Sequence, residues 1–305
     1  MDQAAQALLE LGRALAAAHY TFVTPTPQTH QRVMARCELA RDLRDVFGWS
    51  RPFEPHLLPE PWLALLEAAG ALQREGGRMR SKVRFSTLDG GLYVHSAYPT
   101  DAADSVFFGP DTYRFSAFIR RMARPASRVV DIGCGTGAGG LVAARAADAD
   151  ELVLADINPR ALAYSEVNVQ LAQPSPPVVR YVESDILFGV EGRFDLIVAN
   201  PPYMRDAGGR TYRDGGGDYG EALSVRMARE ALGRLAPNGS LLLYTGAAIV
   251  DGQDSFLRAL RPWLENWPFS YEELDPDVFG EELAQRGYER VERIAAVGLA
   301  VRRPV

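Results

Sequence analysis

The second half of the chain alternates short apolar runs with amphipathic stretches. Seven strands are predicted, six of them at largely apolar segments, 127–134, 151–158, 178–186, 194–200, 240–246 and 293–303, and one at the more polar segment 270–276. Between several of them, apolar residues recur at helical spacing, as with Leu223, Met227, Ala231 and Leu235 in the stretch 223–236. Strands that alternate with helices predict an α/β fold with a doubly wound, mainly parallel seven-stranded sheet.

The first hundred residues follow a different pattern. Helices are predicted for 3–19, 30–47 and 61–77, the last with Pro61 at its start and Gly76-Gly77 at its end. Two short strands around Asp89-Gly90-Gly91 then predict a β-hairpin. We therefore expect two domains, a helical, winged-helix-like substrate-recognition domain at 1–106 and the sheet domain at 107–305.

Composition and charge narrow the classes of function. The net charge of -6 does not indicate a nucleic-acid-binding surface of a single sign. Two cysteines cannot form a disulfide framework, which predicts a reducing cytoplasm. The longest largely apolar stretch, 241–250, is about half of the roughly 20 residues that a membrane span needs. No histidine has metal-ligand spacing with cysteine or glutamate, so we expect no metal site.

Basic residues concentrate locally around the predicted hairpin. This stretch has Glu75 as its only acidic residue among five basic ones, namely Arg74, Arg78, Arg80, Lys82 and Arg84. One interpretation is a docking surface that binds phosphate backbones or an acidic partner. The other is a solvated surface without a binding role.

A glycine-rich turn, DIGCGTG, follows the first predicted strand of the sheet and leads into a helix. Glycine permits positive φ and a close approach of the backbone to a ligand. Asp156 ends the next strand, where an acid accepts hydrogen bonds from ribose hydroxyls. Because Gly135, Gly137 and Gly140 also match a dinucleotide fingerprint, a nicotinamide-dependent oxidoreductase stays open at this point.

The motifs DIGCGTG, ADINPRAL, SDILF and VANPPY, in this order, resemble those of the class I S-adenosylmethionine-dependent methyltransferases. Over roughly 107–305 the chain is similar to the branch with an NPPY motif, which includes the release-factor glutamine methyltransferases and the small-domain RNA methyltransferases. The resemblance implies S-adenosylmethionine as cofactor. The cofactor-binding residues that it implies are Asp131, Gly133, Cys134, Gly135 and Gly137 at the methionine part, Asp156 and Ile157 at the ribose, Asp185 and Ile186 at the adenine, and Asn200 beside the methyl group.

The same resemblance implies a catalytic role for Asn200, Pro201, Pro202 and Tyr203. The nitrogen of an amide or aryl amine is a poor nucleophile because its lone pair is delocalised. Acceptors aimed at its two N–H bonds, the Asn200 side-chain oxygen and the Pro201 carbonyl, draw the lone pair out of conjugation. The two prolines stiffen the backbone, and Tyr203 offers a flat face to a planar substrate.

The acceptor is expected in a macromolecule. A glutamine amide in a protein is favoured by the glycine-rich stretch 205–224, which is similar to that of the glutamine methyltransferases. An exocyclic amine of adenine or guanine in RNA or DNA is favoured by Tyr203 and the basic residues. A small-molecule acceptor, an oxidoreductase and a non-catalytic binding module are the remaining alternatives.

Overall fold

The structure is a computed structural model that describes residues 1–172, 174, 178–205 and 212–304. The helices are α1 Gln3–Ala17, α2 Pro27–Met34, α3 Leu43–Phe47, α4 Glu60–Ala68, α5 Pro110–Met122, α6 Ala138–Ala147, α7 Pro159–Leu171, α8 Ala222–Arg234 and α9 Ser255–Leu260. Short 3-10 helices lie at Pro55–Leu57, Arg261–Trp263 and Gly280–Ala284. The strands are β1 Leu72–Glu75, β2 Arg78–Ser81, β3 Val83–Leu88, β4 Gly91–Ser96, β5 Arg128–Ile132, β6 Glu151–Asp156, β7 Val178–Glu183, β8 Phe194–Ala199, β9 Leu235–Val250, β10 Gln253–Asp254, β11 Phe269–Asp275 and β12 Val291–Arg302.

The chain forms two compact units. The first comprises 1–113, 135–138 and 159–175, and the second comprises 114–134, 139–158 and 176–305. The boundary between residues 106 and 107, and the winged-helix-like character of the N-terminal part, stay predictions. Within the described ranges, no helix combines the length and the apolar character that crossing a bilayer requires.

The first unit contains α1 to α4, two separate hairpins and α7. Helix α1 begins at the capping residue Asp2, whose carboxylate accepts from Ala5 N at 2.8 Å, and it packs against α4 and α7. The predicted helix at 3–19 is thus confirmed. The continuous helix at 30–47 is wrong, because Asp42 caps a separate helix α3 by accepting from Asp45 N at 2.9 Å.

The predicted helix at 61–77 is also too long. It ends at Ala68, because Gly70 takes a φ of +61° while Ala71 N donates to Leu66 O and Gly70 N donates to Glu67 O. The residues beyond it form β1 and β2, which pair around Gly76-Gly77. The hairpin at Asp89-Gly90-Gly91 is confirmed as β3 and β4.

The second unit is built on a mixed sheet in the order β11-β12-β9-β8-β5-β6-β7, with β10 beside β9. Strands β5 to β9 run parallel. Strands β10 and β12 each pair antiparallel with β9, and β11 pairs antiparallel with β12, so β11 runs in the same direction as β9. All seven predicted strands are confirmed, although β9 extends well beyond the predicted 240–246. Parallel strands end at one edge of a sheet, so the candidate residues after β5, β6, β7 and β8 share that edge.

Candidate functional site

The glycine-rich turn begins directly after β5 and is tied to the neighbouring strand. The backbone N–H groups of Gly133 and Cys134 both donate to Ala155 O, at 2.8 and 3.0 Å. Gly133, Gly135 and Gly137 have φ values of +66°, +53° and +74°. These left-handed conformations explain why glycine occupies the three positions.

Asp131 lies at the end of β5 and is almost completely buried. Its Oδ2 accepts from Gly140 N at 2.7 Å, in the first turn of α6. Burial raises the pKa of Asp131 to about 8, with a further contribution from the negative charge of Asp156. A methyl group on Gly140 would stand 2.6 Å from the Leu154 side chain, so this glycine serves close packing of helix on strand.

Asp156 ends β6 at the same edge of the sheet. Its Oδ1 accepts from Asn158 N at 2.9 Å, and its backbone oxygen accepts from Ser184 N at 3.0 Å. The neighbouring Ile157 exposes 58% of its surface, which is unusual for an isoleucine. An acid and an apolar side chain are therefore presented together after β6.

In the turn after β7, the side chains of Asp185 and Phe188 are exposed and that of Ile186 is buried. Asp185 is exposed, and its Oδ2 accepts from Arg226 Nη2 at 2.7 Å. Ile186 packs into the core of the second unit with a φ of +52°, a strained conformation for a β-branched residue. The apolar side chain that this turn exposes is Phe188, at 94%, which sequence reasoning did not single out.

Asn200 follows β8 beside the glycine turn. Ala199 pairs with Ile132 in the parallel register, so Asn200 and Gly133 are the first residues beyond two adjacent strands. The Asn200 side chain is half-buried and makes no hydrogen bond to any described residue. The amide is therefore available to a ligand at the carboxyl edge.

Tyr203 is packed inside the second unit. Its ring is 7% exposed, lies against Gly246 of β9 and approaches Phe279 with a centroid distance of 6.1 Å. A methyl group on Gly246 would stand 2.2 Å from the ring. Sequence reasoning missed Gly246 because its role depends on a contact between distant segments.

The glycine-rich stretch forms backbone hydrogen bonds with Met204, the residue that follows NPPY. Met204 N donates to Arg213 O at 3.1 Å, and Gly215 N donates to Met204 O at 2.8 Å. A methyl group on Gly215 would stand 2.8 Å from Pro202 O, and one on Gly220 would stand 2.1 Å from Tyr203 O. Within the predicted stretch 205–224, residues 206–211 lie outside the described ones.

The basic residues of the first unit divide into two groups. Three of the five predicted basic residues are exposed, namely Arg74, Arg78 and Lys82, and a fourth, Arg80, is half-buried. Arg74 forms an ion pair with Glu67, and the Arg78 guanidinium lies 4.0 Å from the Glu54 carboxylate. The expectation that Arg84 belongs to a docking surface is wrong, because strands β3 and β4 are covered on both faces and Arg84 is buried.

The strand order of the sheet, with its antiparallel β12, is that of the class I methyltransferase fold. Residues 115–249 match the model of a family described as "Methyltransferase small domain", which confirms the resemblance given by the motifs for this part of the chain. A putative S-adenosylmethionine-dependent methyltransferase from Streptococcus mutans has a similar fold, with a TM-score of 0.52 and 14% identity over 79% of this chain and 65% of that one.

Curated relatives include enzymes of two kinds. The release factor glutamine methyltransferase of Deinococcus radiodurans is 34% identical over 41% of this chain and 47% of its own length. The ribosomal RNA small subunit methyltransferase C of Pasteurella multocida is 33% identical over 39% of this chain and 33% of its own length. The chain thus spans about half or less of the length of these relatives.

Proposed function

We propose that this protein is an S-adenosylmethionine-dependent N-methyltransferase that acts on a planar NH2 group. The observation that carries the proposal is the position of Asn200, the first residue after β8, beside the glycine turn after β5. Its amide has no partner among the described residues, so its oxygen can accept from a substrate N–H. The family match at 115–249 supports the same conclusion.

The residues at the carboxyl edge suit this cofactor. When bound, S-adenosylmethionine would supply an electrophilic methyl group on a sulfonium. Asp156 would accept from the ribose hydroxyls, with Ile157 beside it. Asp185 and the exposed Phe188 would face the adenine, while the left-handed glycine turn allows close backbone approach.

The NPPY segment would position and activate the substrate nitrogen. The Asn200 side-chain oxygen and the Pro201 carbonyl accept from the two N–H bonds and stabilise the positive charge that develops during attack. The proton can leave after the transfer, so no general base is required. The glycines that contact the backbone of Pro202 and Tyr203 hold the segment in place, and such positioning supplies much of catalysis.

For the acceptor, we favour a glutamine side-chain amide in a protein. The support is the likeness to a release factor glutamine methyltransferase, together with a glycine-rich stretch that folds back on NPPY. An exocyclic amine of a nucleic-acid base is the second candidate, supported by the likeness to a ribosomal RNA methyltransferase and by the exposed Arg74, Arg78 and Lys82. A cytoplasmic location stays a prediction.

The experiment uses radiolabelled S-adenosylmethionine, the purified protein and an undermethylated cell lysate. Label released by protease alone would support the glutamine acceptor, and label released by nuclease alone would support the base amine. Asn200→Ala should lower methyl transfer by about 10²–10³-fold, as for the loss of one aligned hydrogen-bonding group. Gln253→Ala, which removes an exposed amide on β10, is the matched control and should keep full activity. Binding of a nicotinamide cofactor in place of S-adenosylmethionine would overturn the proposal.

A further inference from the structure

The connection between β11 and β12, residues 276–290, is held against β12 near both of its ends. Val278 N donates to Ile294 O at 2.8 Å, and Val291 N donates to Tyr288 O at 2.9 Å. The side chains of Val278 and Tyr288 are buried. The β11–β12 connection is therefore packed into the second unit, and its inward-facing side chains have fixed positions.

The hydroxyl group of Tyr288 contacts the chain directly after NPPY. Its oxygen accepts from Arg205 N at 2.9 Å, and it donates to Met204 Sδ at 3.7 Å. Tyr288 exposes only 2% of its surface, and burial raises the pKa of its phenol. The hydroxyl therefore stays protonated near pH 7, so it can accept and donate at the same time.

Two further contacts join the β11–β12 connection to this part of the chain. Phe279 meets the Tyr203 ring edge-on, and its φ of +56° is a strained conformation for an aromatic residue. Such strain persists only where the surroundings hold it, and it clusters at functional sites. The buried Glu282 forms an ion pair with Arg213, whose backbone oxygen accepts from Met204 N. The connection thus holds the residues around NPPY at several points.

The NPPY backbone can transmit a displacement from Met204 to Asn200. Pro201 and Pro202 have a fixed φ, and each restricts the conformation of the residue before it. Tyr203, the one residue between the proline pair and Met204, is buried. A movement of the Met204 backbone is therefore carried to the Asn200 amide and the Pro201 carbonyl, because few rotations in between can absorb it.

We propose that Tyr288 is a positioning residue for methyl transfer, because its hydroxyl holds the backbone of Arg205 and thereby sets where the NPPY acceptors meet the substrate nitrogen. The inference rests on the proposed function and deepens it, since it gives the β11–β12 connection a part in the geometry of the site. Tyr288 acts through the backbone and takes no part in making or breaking bonds.

The variant Tyr288→Phe removes the hydroxyl and keeps the ring. Methyl transfer is measured with radiolabelled S-adenosylmethionine and the lysate fraction that the wild type labels, and cofactor affinity is measured by calorimetry. We expect kcat to fall about tenfold, which corresponds to about 1.4 kcal/mol, the weight of one hydrogen bond. The affinity for S-adenosylmethionine should stay unchanged, because the candidate cofactor-binding turns follow β5, β6 and β7.

Tyr271→Phe is the matched control. Tyr271 lies on β11 of the same unit, and its hydroxyl donates at 2.5 Å to Asp254, the residue that caps α9. Both variants lose one hydrogen-bonded hydroxyl, so both should lower the melting temperature. Only Tyr288→Phe should lower kcat, and an equal fall in kcat for the two variants would overturn the inference.

Hydrogen exchange of the wild-type protein, followed by NMR after labelling with nitrogen-15, provides a measurement that needs no variant. The Arg205 N–H should exchange slowly, and it should exchange faster in Tyr288→Phe. Exchange of the wild-type Arg205 N–H at the rate of an unstructured peptide, or a wild-type kcat in Tyr288→Phe, would overturn this inference alone. Absence of methyl transfer by the wild type would overturn the proposed function, and the inference with it.

Discussion

Gly220 offers a sharp test of whether the glycine-rich stretch positions the NPPY segment. Its φ is +99°, and a methyl group there would stand 2.1 Å from the carbonyl oxygen of Tyr203. The obstacle is backbone, which cannot rotate away as a side chain would. Gly220→Ala should therefore displace the segment that starts at Asn200.

The size of the effect follows from the distance. Restoring an ordinary contact of at least 3.0 Å requires a shift of roughly 1 Å in the Tyr203 backbone. A misplacement of about 1 Å can cost about 10²-fold in rate. We expect a fall in kcat of that order with little change in cofactor affinity, because the three atoms nearest to the added methyl group belong to Tyr203 and Met204 and not to the candidate cofactor-binding residues after β5 and β6.

The matched control is Gly216→Ala in the same stretch. Gly216 also has a positive φ, +64°, but the nearest atom to an added methyl group is 3.8 Å away. This variant carries a left-handed backbone cost of about 1–2 kcal/mol without the collision. The assay is methyl transfer to the acceptor identified with labelled S-adenosylmethionine, with cofactor affinity measured by calorimetry. Equal kcat values for the two variants would refute the positioning role of Gly220.

Three further predictions concern stability. Asn168→Leu should lower the free energy of unfolding, measured by urea titration, by about 3 kcal/mol. The Asn168 amide accepts a hydrogen bond from Val94 N and donates to Val94 O and Thr136 O, and the substitution leaves these buried backbone groups without that partner. A decrease of less than about 1 kcal/mol would contradict this prediction. Burial gives Asp131 a raised pKa of about 8, so the folded state holds its proton more tightly and stability falls as pH rises from about 4 to 8. Asp131→Asn should flatten this slope, and an unchanged slope would count against the prediction. Gly70→Ala should lower the free energy of unfolding, measured by thermal unfolding, by about 1–2 kcal/mol. The φ of Gly70 is +61°, and no atom lies within 4 Å of an added methyl group, so the cost comes from the backbone conformation alone. An unchanged stability would show that the end of the helix rearranges.

The order of strands and helices in the second unit could be predicted because each element carries its own periodicity. The run 196–199 is apolar and is followed by Asn200 and a proline pair, so both the strand and its end can be identified locally. The glycine turn after β5 was predictable for the same reason, since glycine is required by the backbone at Gly133, Gly135 and Gly137. The helix after Pro61 was extended too far because Gly70, a single residue, ended it earlier than the Gly76-Gly77 pair.

The sequence by itself determined the class of fold, the position of the candidate site after β5, β6, β7 and β8, and the residues of NPPY, because these depend on short-range pattern. Only the tertiary structure decided that Arg84 faces the interior, since alternation along β3 cannot say whether its second face is covered. It also decided that Ile186 is buried while Phe188 is exposed, and that Gly220 and Gly246 lie close against Tyr203 of the NPPY segment. Each of these depends on contacts between residues far apart in the chain, and such contacts leave no local periodicity to detect.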